Sequence, residues 1–115
     1  MFEQLENEVM SAISREVPQY SGLIMEQYIR GKKTREFTGH GFFTDFDDVG
    51  DGVLGGCFCD CVLGTPSAVL NNECTVGFAL FIRGGKISTL EGYTFGDEQW
   101  PDVIETYEVK NKTQG

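Results

Sequence analysis

The stretch Thr75-Val76-Gly77-Phe78-Ala79-Leu80-Phe81-Ile82-Arg83-Gly84-Gly85-Lys86-Ile87-Ser88-Thr89-Leu90-Glu91-Gly92-Tyr93-Thr94-Phe95 decides the fold. Residues 75 to 83 are apolar on both alternating faces, which suits a strand in the middle of a sheet with a helix over one side. Gly84-Gly85 follows, and the two central positions of a type I′ turn both need positive φ. Residues 86 to 95 therefore return antiparallel beside the central strand. A long buried hairpin of this kind needs further strands at its flanks and a cover on one face.

The cover lies upstream. Phe2, Leu5, Val9, Ala12 and Ile13 recur at helical spacing, with Glu3, Glu6, Glu8 and Arg15 on the other side and Pro18 as a stop. The spacing predicts an amphipathic helix over residues 2 to 16, with an acidic first turn suited to the helix dipole. In residues 20 to 30, Tyr20, Leu23, Ile24, Gln27 and Tyr28 fit a helix, while Leu23, Met25, Gln27 and Ile29 also fit one strand face. We read a short second helix capped by Gly31, with the basic cluster after it beside the last carbonyls.

Residues 34 to 46 are aromatic and β-branched and read as one long strand, with Gly39 and Gly41 marking a bend, a bulge or a bulky neighbour. An acidic turn at 47 to 52 leads to a second strand over 53 to 63, broken by Gly64 and Pro66. Residues 64 to 74 read as a loop, 96 to 101 as another, and 103 to 109 as a last edge strand before a loose tail beyond Lys110. The expectation is a single α+β domain, with one or two N-terminal helices packed on a four- or five-stranded, mostly antiparallel sheet. At 115 residues with 40% hydrophobic content, the chain suffices for one core.

Eighteen acidic residues against nine basic ones give a net charge of -9, which disfavours a phosphate backbone or an anionic membrane as partner. The basic residues are clustered, since none lies between Arg35 and Arg83 or between Lys86 and Lys110. With no long apolar run and an acidic N-terminus, the expected location is the cytoplasm, where the four cysteines remain thiols.

Cys57, Cys59 and Cys61 alternate, with Cys74 as a conceivable fourth metal ligand. Neighbours two apart on a flat strand are roughly 6.5 to 7 Å apart, too far for three thiolates to close one tetrahedral site. The thiols are read as packing groups, and no metal or other cofactor is expected. The Asp45, Asp47, Val49, Gly50, Asp51 run begins like a calcium loop but has Val at the fifth position and Gly56 where a bidentate Glu is required. His40, the one histidine, has no nucleophile elbow or metal motif to complete it. These absences favour a non-enzymatic protein.

Glu91 and Tyr93 share one face of the returning strand, and Asp97, Glu98 and Trp100 follow at its mouth. Carboxylates among large aromatics suit a basic protein partner, because the rings supply contact area and the charges steer association. The expected function is an acidic protein-binding domain, of the kind that inhibits a basic toxin such as a nuclease as an immunity protein does. The alternative is a small-molecule site or enzyme using Arg35, His40 and Glu91 around the glycine-rich face, where missing side chains leave room for a ligand.

Two segments, Arg35-Glu36-Phe37-Thr38-Gly39-His40-Gly41-Phe42-Phe43-Thr44-Asp45-Phe46 and Gly77-Phe78-Ala79-Leu80-Phe81-Ile82-Arg83 to Leu90-Glu91-Gly92-Tyr93-Thr94-Phe95-Gly96-Asp97-Glu98-Gln99-Trp100-Pro101, resemble those of a widespread group of small bacterial proteins without assigned activity. The resemblance extends over roughly a third to a half of the chain. It implies a shared fold and brings no catalytic role with it. His40 departs from the small apolar residue expected in relatives, and the cysteine-rich segment lies outside both blocks.

Overall fold

A computed structural model describes residues 2 to 96 and 98 to 111 of the chain. Two helices pack on one face of a seven-stranded antiparallel sheet, an α+β architecture. Helix α1 (Phe2–Ser14) buries Leu5, Val9, Met10, Ala12 and Ile13. After a 3-10 turn at Pro18–Tyr20, helix α2 (Ser21–Arg30) buries Ile24, Gln27 and Tyr28. Gly31 ends α2 in an extended conformation (φ −64°) rather than a left-handed one. The Lys33 ammonium instead donates to the Tyr28 carbonyl at 2.6 Å, which satisfies an end-of-helix acceptor with a positive charge.

The strands are β1 (Lys32–Phe37), β2 (Gly41–Asp47), β3 (Cys61–Leu63), β4 (Pro66–Leu70), β5 (Cys74–Arg83), β6 (Lys86–Thr94) and β7 (Tyr107–Asn111). Their order is β1-β2-β6-β5-β4-β7, with β3 also pairing β5. The central hairpin is as read from the sequence: Arg83 pairs with Lys86, and Gly84 and Gly85 have φ of 59° and 77°.

The sheet has more strands than expected because residues 34 to 46 contribute to two strands and the expected loop over 64 to 74 contains another. Residues 34 to 46 are not one strand but the β1–β2 hairpin. Gly39 takes φ 91°, the Thr38 N–H donates to the Gly41 carbonyl at 3.0 Å, and Phe37 faces Phe42. Residues 53 to 63 are irregular up to β3, because Gly55 and Gly56, the latter at φ 63°, lead into a 3-10 turn at Gly56–Phe58. The expected loop over 64 to 74 contains β4, which turns into β5 through Asn71 and Asn72 at φ 54° and 60°. Strands β3 and β4 run along the same edge of β5, and between them Gly64, Thr65 and Pro66 oppose Phe78 and Ala79, a one-residue bulge. The last strand pairs with β4 and starts at Tyr107, later than expected. The tail expected to be loose beyond Lys110 lies, from residue 112 on, outside the described residues.

The core lies between helices and sheet, where Phe42, Phe78, Leu80, Ile82, Ile87 and Leu90 meet the apolar stripe of α1 and α2. Gly92 holds close to the Phe42 ring, and a Cβ there would come within 2.2 Å of it. The buried Gln27 side chain ties α2 to the sheet by accepting from the Ile87 N–H at 2.9 Å and donating to the Gly52 carbonyl at 2.9 Å. Among the described residues no helix is long and apolar enough to cross a membrane.

Candidate functional site

Alternation along the strands divides the sheet residues into a helix-covered set and an outer set. The outer set forms cross-strand rows. Glu36, Phe43, Glu91 and Ala79 are register partners across β1, β2, β6 and β5. The adjacent row runs Thr34, Asp45, Thr89, Phe81 and Val62. A third places Tyr93 between Gly41 of β2 and Gly77 of β5.

Aromatic rings and carboxylates thus alternate on one exposed surface. Phe43, Phe81 and Tyr93 are half-buried, and Val62 is 58% exposed. The Tyr93 ring lies across Gly77, where a Cβ would come within 2.7 Å of it, and meets Phe95 edge-on at 5.7 Å between centroids. Glu36 and Glu91 flank Phe43 in the register, and Thr89 donates to Asp45 at 2.7 Å. Among the described residues, none of the Glu36, Asp45 and Glu91 carboxylates is in an ion pair. The face therefore presents apolar contact area together with carboxylates that have no ion pair, with the Arg83 guanidinium 5.7 Å from the Phe81 ring at its β5 end.

Of the residues singled out in the sequence, Glu91 and Tyr93 lie on this face. Glu98 is exposed on the loop beyond β6, where its carbonyl accepts from the Thr94 hydroxyl at 2.7 Å and from His40 Nδ1 at 2.9 Å. Asp97 lies outside the described residues. Trp100 does not join them. It is 7% exposed, its ring meets that of Phe42 at 5.3 Å on the helix side, and its backbone N–H donates to the Gly39 carbonyl at 2.8 Å. The loop after β6 turns back under the sheet, so strand alternation does not extend to position 100.

Nor do Arg35, His40 and Glu91 converge on a ligand pocket. Arg35 shares the helix side with its register partner Thr44, His40 sits at the β1–β2 turn, and Glu91 is on the open face. Arg35 instead belongs to a buried cluster that the sequence reading missed. The Glu6 carboxylate, fully buried, accepts from Arg35 Nη2 at 2.6 Å, Thr44 Oγ1 at 2.6 Å and Tyr28 Oη at 2.8 Å. The Glu6 hydrogen bond is the main influence raising the Arg35 pKa. Burial, and then the bond to Glu6, raises that of Tyr28. Every strong acceptor direction is used, so the cluster joins α1 and α2 to β1 and β2 and offers nothing to a substrate. The assignment of Glu6 to the polar side of α1 is corrected accordingly. Its signal was its place four residues after Phe2 and three before Val9, inside the apolar stripe.

The cysteines do not share a strand face. Cys57 and Cys59 are exposed in and after the 3-10 turn, Cys61 is half-buried in β3, and Cys74 is buried in β5. Burial pushes the Cys61 thiol up, with Cys57 adding to it, and also raises Cys74. Among the described residues no three His, Cys, Asp or Glu side chains are placed to hold a metal ion.

Family models, curated proteins and solved structures were each compared with the chain, and none matches it.

Proposed function

We propose that this chain is a non-enzymatic protein-binding domain that takes a basic protein on the open face of its sheet, as an immunity-type inhibitor of a basic toxin such as a nuclease would. The observation that carries the reading is the set of unpaired carboxylates, Glu36, Asp45 and Glu91, interleaved with Phe43, Phe81 and Tyr93 on a face without a covering helix. Rings in such a setting become anchors when a partner removes them from water. A net charge of -9 attracts a basic protein from a distance, and steering of this kind raises association rates by about 10 to 10³-fold at low salt. Phosphate backbones and anionic membranes are repelled by the same field.

The two sequence blocks belong to this reading as a shared scaffold. They meet where Trp100 and Thr94 donate their N–H groups to the Gly39 and His40 carbonyls at 2.8 and 3.0 Å.

The test is affinity capture from a lysate of the producing cell with three baits: the unaltered chain, a Glu91→Lys/Tyr93→Ala variant, and a helix-face variant, Ile29→Ser. The reading predicts one basic protein that the first and third baits retain and the face variant loses, with recovery falling as salt rises. Equal recovery by the face variant sinks it.

A further inference from the structure

A second surface lies on the helix side, at the end of the sheet where the β1–β2 turn meets the loop after β6. A cleft of about 440 Å³ opens there, with Phe2, Phe37, Trp100, Asp102, Val103 and Ile104 in its lining. That size falls within the range of about 300 to 1,000 Å³ typical of small-molecule sites. Its walls are aromatic. Phe2 and Phe37 meet edge to face at 5.2 Å, and the Phe42 ring touches Phe2 at 4.8 Å and Trp100 at 5.3 Å. Phe37 and Val103 stay 57% and 66% exposed, leaving apolar surface for a ligand to cover.

Charge then decides what kind of ligand fits. Among the described residues Asp102 is the one ionisable side chain in the lining, and it has no ion pair there. The Arg35 guanidinium lies 5.5 Å from the Phe2 ring, yet it is held by Glu6 at 2.6 Å and does not neutralise Asp102. An anionic ligand meets both Asp102 and the net negative charge. A neutral one covers the rings but gains nothing from the exposed Asp102 carboxylate. A cation with a hydrocarbon body satisfies the carboxylate and the rings together, because aromatic faces attract positive charge.

We propose that this cleft binds a small organic cation with an apolar body, of the aryl- or alkylammonium class. The site is separate from the open sheet face and independent of whether a protein binds there.

Trp100 is the chain's single tryptophan and lines the cleft, so its emission reports occupancy directly. The purified chain is titrated at constant ionic strength with phenethylammonium, with neutral 2-phenylethanol and with anionic 3-phenylpropionate. The expected result is a saturable emission change with the ammonium, which binds about ten-fold or more tightly than the alcohol, and none with the carboxylate. Asp102→Asn, at an exposed position, should keep the melting temperature and cut the ammonium's advantage over the alcohol several-fold, leaving the smaller part that the rings supply. Phe37→Ala should weaken both, and Glu91→Lys should change neither. No saturable change with the ammonium, equal binding of ammonium and alcohol, or an ammonium preference left undiminished by Asp102→Asn each overturns the proposal.

Discussion

Glu6 shows how far a single residue can depart from its composition class. A carboxylate is ordinarily placed on the wet side of a helix, but here it is the anchor for groups from α2, β1 and β2. Nothing in the residue types of α1 identifies partners at positions 28, 35 and 44, because the cluster exists only once the elements meet. Removing one member of a buried charged pair leaves the other uncompensated, so Glu6→Ala should cost about 3 to 5 kcal/mol in a urea unfolding curve. Replacing Glu6 and Arg35 together by Met should recover only the part due to the uncompensated Arg35, because the buried Tyr28 and Thr44 hydroxyls still lose their acceptor. Tyr28 supplies a pH signature. Its phenol ionises above the ordinary value of about 10, so the unfolded chain loses that proton first. The contribution is complete below about pH 10 and is lost as pH rises beyond it. Unfolding midpoints measured from pH 8 to 12 should therefore fall more steeply for the unaltered chain than for Tyr28→Phe. The variant should itself start about 1.5 to 3 kcal/mol lower, having lost a hydrogen bond to a charged group. Parallel curves would contradict the assignment.

At the scale of elements, the readable parts are those whose local chemistry leaves one solution. The β5–β6 hairpin was legible because two adjacent glycines between apolar runs admit a tight turn and little else. The β1–β2 hairpin was not, because aromatic residues continue on both sides of Gly39. Phe37 and Phe42 are five apart and would fall on opposite faces of a continuous strand, so their shared side is itself the mark of the turn. Strand β4 was hidden by Pro66 at its start and by Asn71 and Asn72 at its end, residues that ordinarily signal loops. Pro66 is tolerated at the first position of a strand, and the two asparagines form the turn into β5. Two glycine–aromatic contacts fix the sheet from either side, Phe42 over Gly92 within and Tyr93 over Gly77 without. Gly92→Ala should destabilise by about 1 to 3 kcal/mol through overpacking and shift the Trp100 emission, because the displaced Phe42 ring touches Trp100. Gly22 has nothing within 4 Å of an added Cβ and lies in α2, so Gly22→Ala should stabilise by about 0.4 to 1 kcal/mol. Thermal and chemical unfolding of the pair would check both signs.

The whole molecule is asymmetric: helices and core on one side of the sheet, and a face of rings and acids on the other. Strand alternation placed Glu91 and Tyr93 together, but it could not supply Phe43 and Asp45, which come from β2, a strand distant in sequence, and Phe81 joins them only through the register of the β5–β6 hairpin. It also could not exclude Trp100, whose loop leaves the strand before the tryptophan is reached. Charge reversal at Glu91 should slow association with a basic partner and reduce its salt dependence while leaving the melting temperature in place, because Glu91 has no ion pair to lose among the described residues. Stopped-flow association at two salt concentrations reads this directly. The central claim, that the uncovered sheet face is where a protein binds, is tested most directly by hydroxyl-radical footprinting of the chain free and in complex with its captured partner. The account predicts protection of Phe43, Phe81 and Tyr93, with Ile29 on the helical side oxidised as in the free chain. Protection at Ile29 with the three rings unchanged would contradict it.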